Sequence, residues 1–238
     1  MTDTSAFPVQ APTDELEWLR LIGSAPEADL GSPSSVVVVA PHPDDETLAV
    51  GGTLAALARS GVPVTVVTVT DGEGSHPGRA GLVEERTAEQ RAALEQLGVP
   101  GPAVRIRLPD GGVADHGDEL DESLVELCPA GSLVLAPWAH DGHTDHDAAG
   151  ESARRVVEAT GARLLSYPVW AWQWARPQDL PISWLRRRTL ARPEDRAAKA
   201  RAVACYRSQI EVLDRPAIVG PDALPRFFRP WEVLFDER

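Results

Sequence analysis

The segment His42-Pro43-Asp44-Asp45-Glu46 places an imidazole next to the adjacent carboxylates Asp44 and Asp45. A neutral imidazole and a carboxylate are ordinary ligands of zinc or another borderline divalent metal, and a catalytic zinc site takes three protein ligands and keeps one position open. A third ligand has to come from elsewhere, and His143-Thr144-Asp145-His146 offers it. The pair Asp44/Asp45 also suits metal-assisted hydrolysis, which needs one carboxylate to hold the metal and another to accept a proton from the attacking water. The competing reading is helix capping, because Asp44 or Asp45 ahead of Thr47 is a good N-cap. Capping leaves the second histidine cluster unexplained.

These side chains need elements that bring them together. β-branched runs at Val36–Ala40, Val62–Thr70 and Leu133–Ala136, with weaker ones at Val104–Leu108 and Leu164–Tyr167, alternate with helix-like segments at Thr47–Ser60, Leu82–Leu97, Glu119–Cys128 and Asp147–Thr160. Such alternation predicts an α/β fold, a mainly parallel sheet covered by helices on both faces. Ligands of such sheets bind outside the carboxyl ends of the strands. The loops after Ala40, Thr70, Leu108 and Ala136 contain nearly every histidine of the chain. Residues 1–35 read as an N-terminal arm followed by a short helix capped near Asp14. Residues 36–238 read as a single catalytic domain with a Trp-rich C-terminal extension over about 168–238, including a helix-like Pro193–Ile210.

Composition limits the partners. The chain has 238 residues, with 36 acidic against 23 basic side chains and a net charge of −13. Phosphate backbones and anionic lipid would repel it, so neither nucleic acid nor a membrane surface is expected as a partner. Arg186-Arg187-Arg188 reads as a solvated edge or an anion contact. Lys199 is the only lysine, a bias that by itself indicates no chemistry. Cys128 and Cys205 lie far apart, outside any C-x-x-C pair, and the N-terminus has no basic segment followed by an apolar one, so a reduced, cytoplasmic protein is expected. A homo-oligomer is compatible with the sequence.

Pro41-His42-Pro43-Asp44-Asp45-Glu46, Gly142-His143-Thr144-Asp145-His146, Arg86-x-x-Glu89 and the Ala204–Gln209 segment together resemble the PIG-L (LmbE-like) family of metal-dependent N-deacetylases. The resemblance runs from about Val36 to about Ile210. It implies a Rossmann-like three-layer sandwich with the metal site at the C-terminal ends of the strands, consistent with the missing G-x-G-x-x-G. It implies that His42, Asp45 and His146 bind Zn2+ or another divalent metal such as Fe2+, and that Asp44 is the general base. His143 would stabilise the oxyanion or protonate the leaving amine, with Asp145 orienting it. Arg86 and Asp110 would grip the substrate. Thr144 stands where the family usually has Pro, Asp141 where members acting on the mycothiol precursor have Tyr, and Tyr206 where a His is usual. His140 is additional, and facing solvent is favoured for it over a substrate contact.

Trp170, Trp172 and Trp174 alternate at period two, which on a strand puts them on one face. Among their prolines they read as a lid or rim, with Trp172 and Trp174 lining a substrate groove. The implied activity is removal of an N-acetyl or N-acyl group from an amino sugar or an amino-sugar-bearing small molecule or natural product. An amidase for bulkier conjugates and a non-catalytic sugar- or metal-binding protein are the alternatives, although a pure binder has no need of Asp44. A metal phosphoesterase would want more cationic residues near the metal.

Overall fold

The computed structural model describes residues 13–212 and 216–237, so the expected arm over residues 1–12 lies outside them. Helix α1 (Glu15–Ser24) is capped by the Asp14 carboxylate, which accepts from the Leu16 amide at 2.8 Å. The expected strands follow as β1 (Val36–Ala40), β2 (Val64–Thr70), β3 (Val104–Leu108), β4 (Leu133–Pro137) and β5 (Arg163–Tyr167), all parallel. Between them run α2 (Asp45–Arg59), α3 (Leu82–Leu97), α4 (Gly117–Leu127) and α5 (Thr144–Thr160).

The segment after Tyr167 completes the sheet. It forms a single turn α6 (Ala171–Trp174), strand β6 (Leu185–Thr189), helices α7 (Pro193–Val203) and α8 (Arg207–Ile210), and strand β7 (Trp231–Phe235). The sheet order is β3-β2-β1-β4-β5-β7-β6, with β7 antiparallel to both neighbours. The helix expected over Pro193–Ile210 breaks between α7 and α8, where the chain turns the Tyr206 side chain inward to hydrogen-bond Glu46. The Arg186–Arg188 run occupies the edge strand, where Arg187 and Arg188 both face Glu27.

Period-two alternation divides the strands between two cores. Val36, Val38, Leu133 and Leu135 pack with α2 and α7 residues on one face, and Val37, Val39, Val134 and Ala136 pack with α4 and α5 residues on the other. Helix α5 lies so close to β4 that a Cβ on Gly150 would stand 2.6 Å from the Pro137 carbonyl oxygen. Helix α2 is kinked at Val50 (φ −126°, ψ 16°). Among the described residues, no helix is long and apolar enough to cross a membrane.

Candidate functional site

The strand order reverses between β1 and β4, and at such a switch point the loops that follow the two strands border one crevice. The His42 loop leaves β1 and the His143–His146 segment opens α5 after β4. The first loop is anchored at Pro41, whose carbonyl accepts from both the amide and the hydroxyl of Thr70. Asp44 then takes φ 154°, a positive value that a non-glycine residue rarely adopts. Its side chain makes no capping bond, which removes helix capping as its purpose.

His42, Asp45 and His146 each bring one ligand atom within 4.8 Å of the others, and all three are buried. Asp45 Oδ2 accepts from the His42 amide at 2.9 Å and lies 3.3 Å from His42 Nδ1 and 3.2 Å from His146 Nε2. His42 Nε2 faces Asp110 Oδ1 at 3.1 Å and Asp145 Oδ2 at 3.2 Å. Burial disfavours a charged His42, but its bonds to Asp110, Asp145 and Asp45 outweigh that and hold the ring well above the ordinary histidine value. Burial would likewise lower His146, yet Asp45 and Asp141 push it up to about 9. Burial would raise Asp45, but the two imidazoles hold it well below the usual carboxylate range. Asp44 shows the opposite balance: burial pushes it up to about 7, against the opposing charge of Arg86.

This centre has the donor chemistry of a cation site. Carboxylates from Asp44, Asp45, Asp110, Asp141 and Asp145 surround two imidazoles, a concentration of negative charge that a buried cluster needs to neutralise. His146 Nε2 is also fully buried with no in-line hydrogen-bond partner, because its contact with Asp45 is at ion-pair distance but off the bonding direction. A metal ion fits these residues.

Asp145 meets His143 through its backbone and not through its carboxylate. The Asp145 carboxylate accepts from the Gly111 amide at 2.7 Å and the Val113 amide at 3.2 Å and turns its remaining contact to His42. It is the Asp145 backbone N–H that meets His143, donating to Nδ1 at 3.2 Å in a cap of α5. Nδ1 is thereby an acceptor and the proton resides on Nε2. Burial, helped by the neighbouring imidazoles, lowers His143 to about 3, so the ring is neutral. Asp110 sits at the margin, bonded to His42 and accepting from the Gly74 amide at 2.8 Å.

Arg86 does not reach outward to a substrate. It is 2% exposed, donates to the carbonyls of Gly72 and Pro43 at 3.0 Å each, and lies 3.4 Å from Asp44 Oδ2. It is a strut for the Asp44 loop, while Glu89 accepts from the amide and hydroxyl of Ser208. Gly72 (φ +68°) makes room for it, since a Cβ there would overlap the guanidinium.

The tryptophans also part company, because their segment is a helical turn and not a strand. Trp172 is in the core, 4% exposed, edge-on to Trp18 at 5.2 Å and under the Arg229 guanidinium at 4.3 Å, and the small cavity it borders is shared with Lys199 and Glu232 and not with the histidine cluster. Trp174 is 39% exposed, its Nε1 donating to the Asp141 carbonyl at 2.6 Å. Trp170 packs on His143 with ring centroids 4.9 Å apart. His140 is exposed, edge-on to Trp138. Tyr206 donates to Glu46 Oε1 at 2.6 Å behind the site.

Asp141, which the sequence marked only as a departure, is completely buried and bonded to the amides of Val169, Trp170 and Ala171. Its place two residues before His143 was the only signal, and nothing local indicated partners some thirty residues on.

Comparison with known proteins agrees with this geometry. A family model described as "PIG-L: GlcNAc-PI de-N-acetylase" matches residues 37–157. A 1D-myo-inositol 2-acetamido-2-deoxy-alpha-D-glucopyranoside deacetylase 2 of Catenulispora acidiphila is 34% identical over 166 residues, 56% of this chain and 55% of the relative. The diacetylchitobiose deacetylase of Thermococcus kodakarensis is 32% identical over 137 residues, 53% of this chain and 50% of the relative. The chain thus spans about half the length of the curated relatives it matches. Among solved structures, the conserved protein TT1542 from Thermus thermophilus superposes with a TM-score of 0.65 at 28% identity, covering 87% of this chain and 96% of the other. With half of its length matched by the family model and its motifs assembled at one switch point, the chain belongs to the PIG-L (GlcNAc-PI de-N-acetylase) family, the LmbE-like group that those motifs resemble.

Proposed function

We propose that this chain is a metal-dependent hydrolase that removes an N-acetyl group from an amino sugar or a small molecule bearing one. The observation that carries the reading is the convergence of His42, Asp45 and His146 beside the buried Asp44. The deacetylase names of the relatives support the same substrate class. His42, Asp45 and His146 are the residues that would hold the ion, and two imidazoles with one carboxylate suit Zn2+ or Fe2+. When bound, the metal polarises the scissile carbonyl and acidifies the attacking water.

The chain's own residues supply the rest. Asp44, braced by Arg86, accepts the water's proton and returns it to the departing amine. His143, with Nδ1 occupied, presents its Nε2–H to the developing oxyanion as a neutral donor. Asp110 and Asp145 fix the His42 ring from its far side. Trp170 covers His143 against water, and Trp174 at the rim offers an indole face for a sugar ring. A cytoplasmic site of action accords with the free thiols of Cys128 and Cys205.

The test is incubation of Zn2+-loaded protein with N-acetylated amino sugars, following free amine and acetate. Asp44→Asn is expected to keep the metal and lose roughly 10²-fold or more in turnover. Metal-free protein with full activity would overturn the reading.

A further inference from the structure

Asp141 serves two parts of the molecule with a single carboxylate. Oδ1 accepts from the amides of Val169 at 3.0 Å and Ala171 at 2.9 Å, and Oδ2 accepts from Trp170 at 2.9 Å. Oδ2 also lies 2.9 Å from His146 Nδ1, in a contact bent away from the N–H direction. The carbonyl of the same residue accepts from Trp174 Nε1. The Trp170–Trp174 turn and the His146 ring are therefore held by one fully buried residue.

We infer that Asp141 is a positioning residue that fixes His146 as an Nε2 metal ligand and ties the tryptophan turn to the metal centre. The inference rests on the metal site proposed above. With a carboxylate beside Nδ1, the proton of the neutral ring belongs on Nδ1, leaving the Nε2 lone pair facing Asp45 and the ligand cluster. An amide at position 141 could donate to Nδ1 and move the ring proton to Nε2, where it blocks coordination. A residue joined only to the turn would hold the tryptophans but leave the tautomer open. The turn has no side-chain cap of its own among the described residues, which is why its alternating tryptophans depend on Asp141 for their helical course.

The test is Zn2+ affinity, measured by competition with a coloured chelator, for the wild type, Asp141→Asn, His146→Ala and Trp174→Phe. Asp141→Asn is expected to weaken binding 10–100-fold. Trp174→Phe, which removes one part-exposed hydrogen bond to the Asp141 carbonyl and leaves the carboxylate and its three amide donors in place, is expected to stay within about threefold of the wild type. Full affinity in Asp141→Asn alongside loss in His146→Ala overturns the inference and leaves the metal site standing. Full affinity in His146→Ala overturns the metal site itself. Equal weakening in Trp174→Phe and Asp141→Asn would assign the effect to the turn and also overturn the inference. Should Asp141→Asn fail to fold, hydrogen exchange in the wild type decides: the amides of Val169, Trp170 and Ala171 are expected to slow about tenfold or more on adding Zn2+, and unchanged rates would break the proposed tie.

Discussion

Lys199 Nζ lies 2.7 Å from Glu232 Oε1 inside the protein, at the kink of α2. The Glu232 carboxylate also accepts from the amides of Gly52 and Thr53, each at 2.8 Å, and from the Thr53 hydroxyl at 2.6 Å. Lys199 reaches the Ala49 carbonyl at 3.4 Å. The kink at Val50 exposes amides below it and a carbonyl above it, and this buried pair satisfies both ends. The only lysine of the chain thus joins α7 and β7 to the helix whose first turn carries Asp45.

Removing either partner leaves the other charge buried, which typically costs about 3–5 kcal/mol. The two losses should be unequal. In Lys199→Met the carboxylate keeps three helix donors, whereas in Glu232→Ala the ammonium keeps one carbonyl and the kink loses its cap. Urea unfolding is expected to rank Glu232→Ala as the more destabilised, with the double variant less affected than the sum. An equal or smaller loss in Glu232→Ala would contradict the capping role.

Gly72→Ala should act on catalysis through Arg86. The new methyl overlaps the guanidinium, and the positive φ adds backbone strain, so the strut must leave Asp44 or Pro43. Once a substrate is in hand, kcat is expected to fall roughly tenfold to a hundredfold, with little change in KM. A KM effect alone would place Arg86 in binding.

The elements that were legible are those whose pattern is local. Val36–Ala40 and Leu82–Leu97 have the ends that β-branching and helical periodicity indicate, and the motif histidines meet because the strand-end rule needs no side-chain detail. What escaped was set by distant partners. Trp170, Trp172 and Trp174 form a helical turn because a carboxylate some thirty residues earlier caps it. The insertion of β7 between β5 and β6 reverses chain order, and no local signal states which strand a terminal segment will join. Asp145 and His143 are two residues apart, yet the start of α5 sends the Asp145 carboxylate toward the loop after β3, to Gly111 and Val113.

The two cysteines should differ in reactivity. Cys128 is completely buried, and burial pushes its thiol up to about 11, while Cys205 is only partly covered. Since the thiolate is the nucleophile, native protein treated with a disulfide reagent at mild pH should release one equivalent, from Cys205. Both should react after unfolding in guanidinium. Two equivalents at equal rates in the native protein would contradict the packing of α4 against the sheet.

Trp172 and Trp174 provide a contrast between core and rim. Trp172→Ala removes a ring packed on Trp18 and Arg229, so a loss of about 3–5 kcal/mol is expected, equivalent to roughly 6–20 °C in Tm. Trp174→Ala removes a half-exposed ring and one hydrogen bond to the Asp141 carbonyl, so its stability loss should stay near about 1 kcal/mol. Kinetics should show the reverse order. If the exposed indole face supports a sugar ring, Trp174→Ala raises KM by roughly tenfold, the loss of about one stacking contact, while the folded fraction of Trp172→Ala keeps a near-normal KM. Thermal melts paired with initial rates would decide both points, and a Trp174→Ala variant with unchanged KM would remove that residue from the substrate surface.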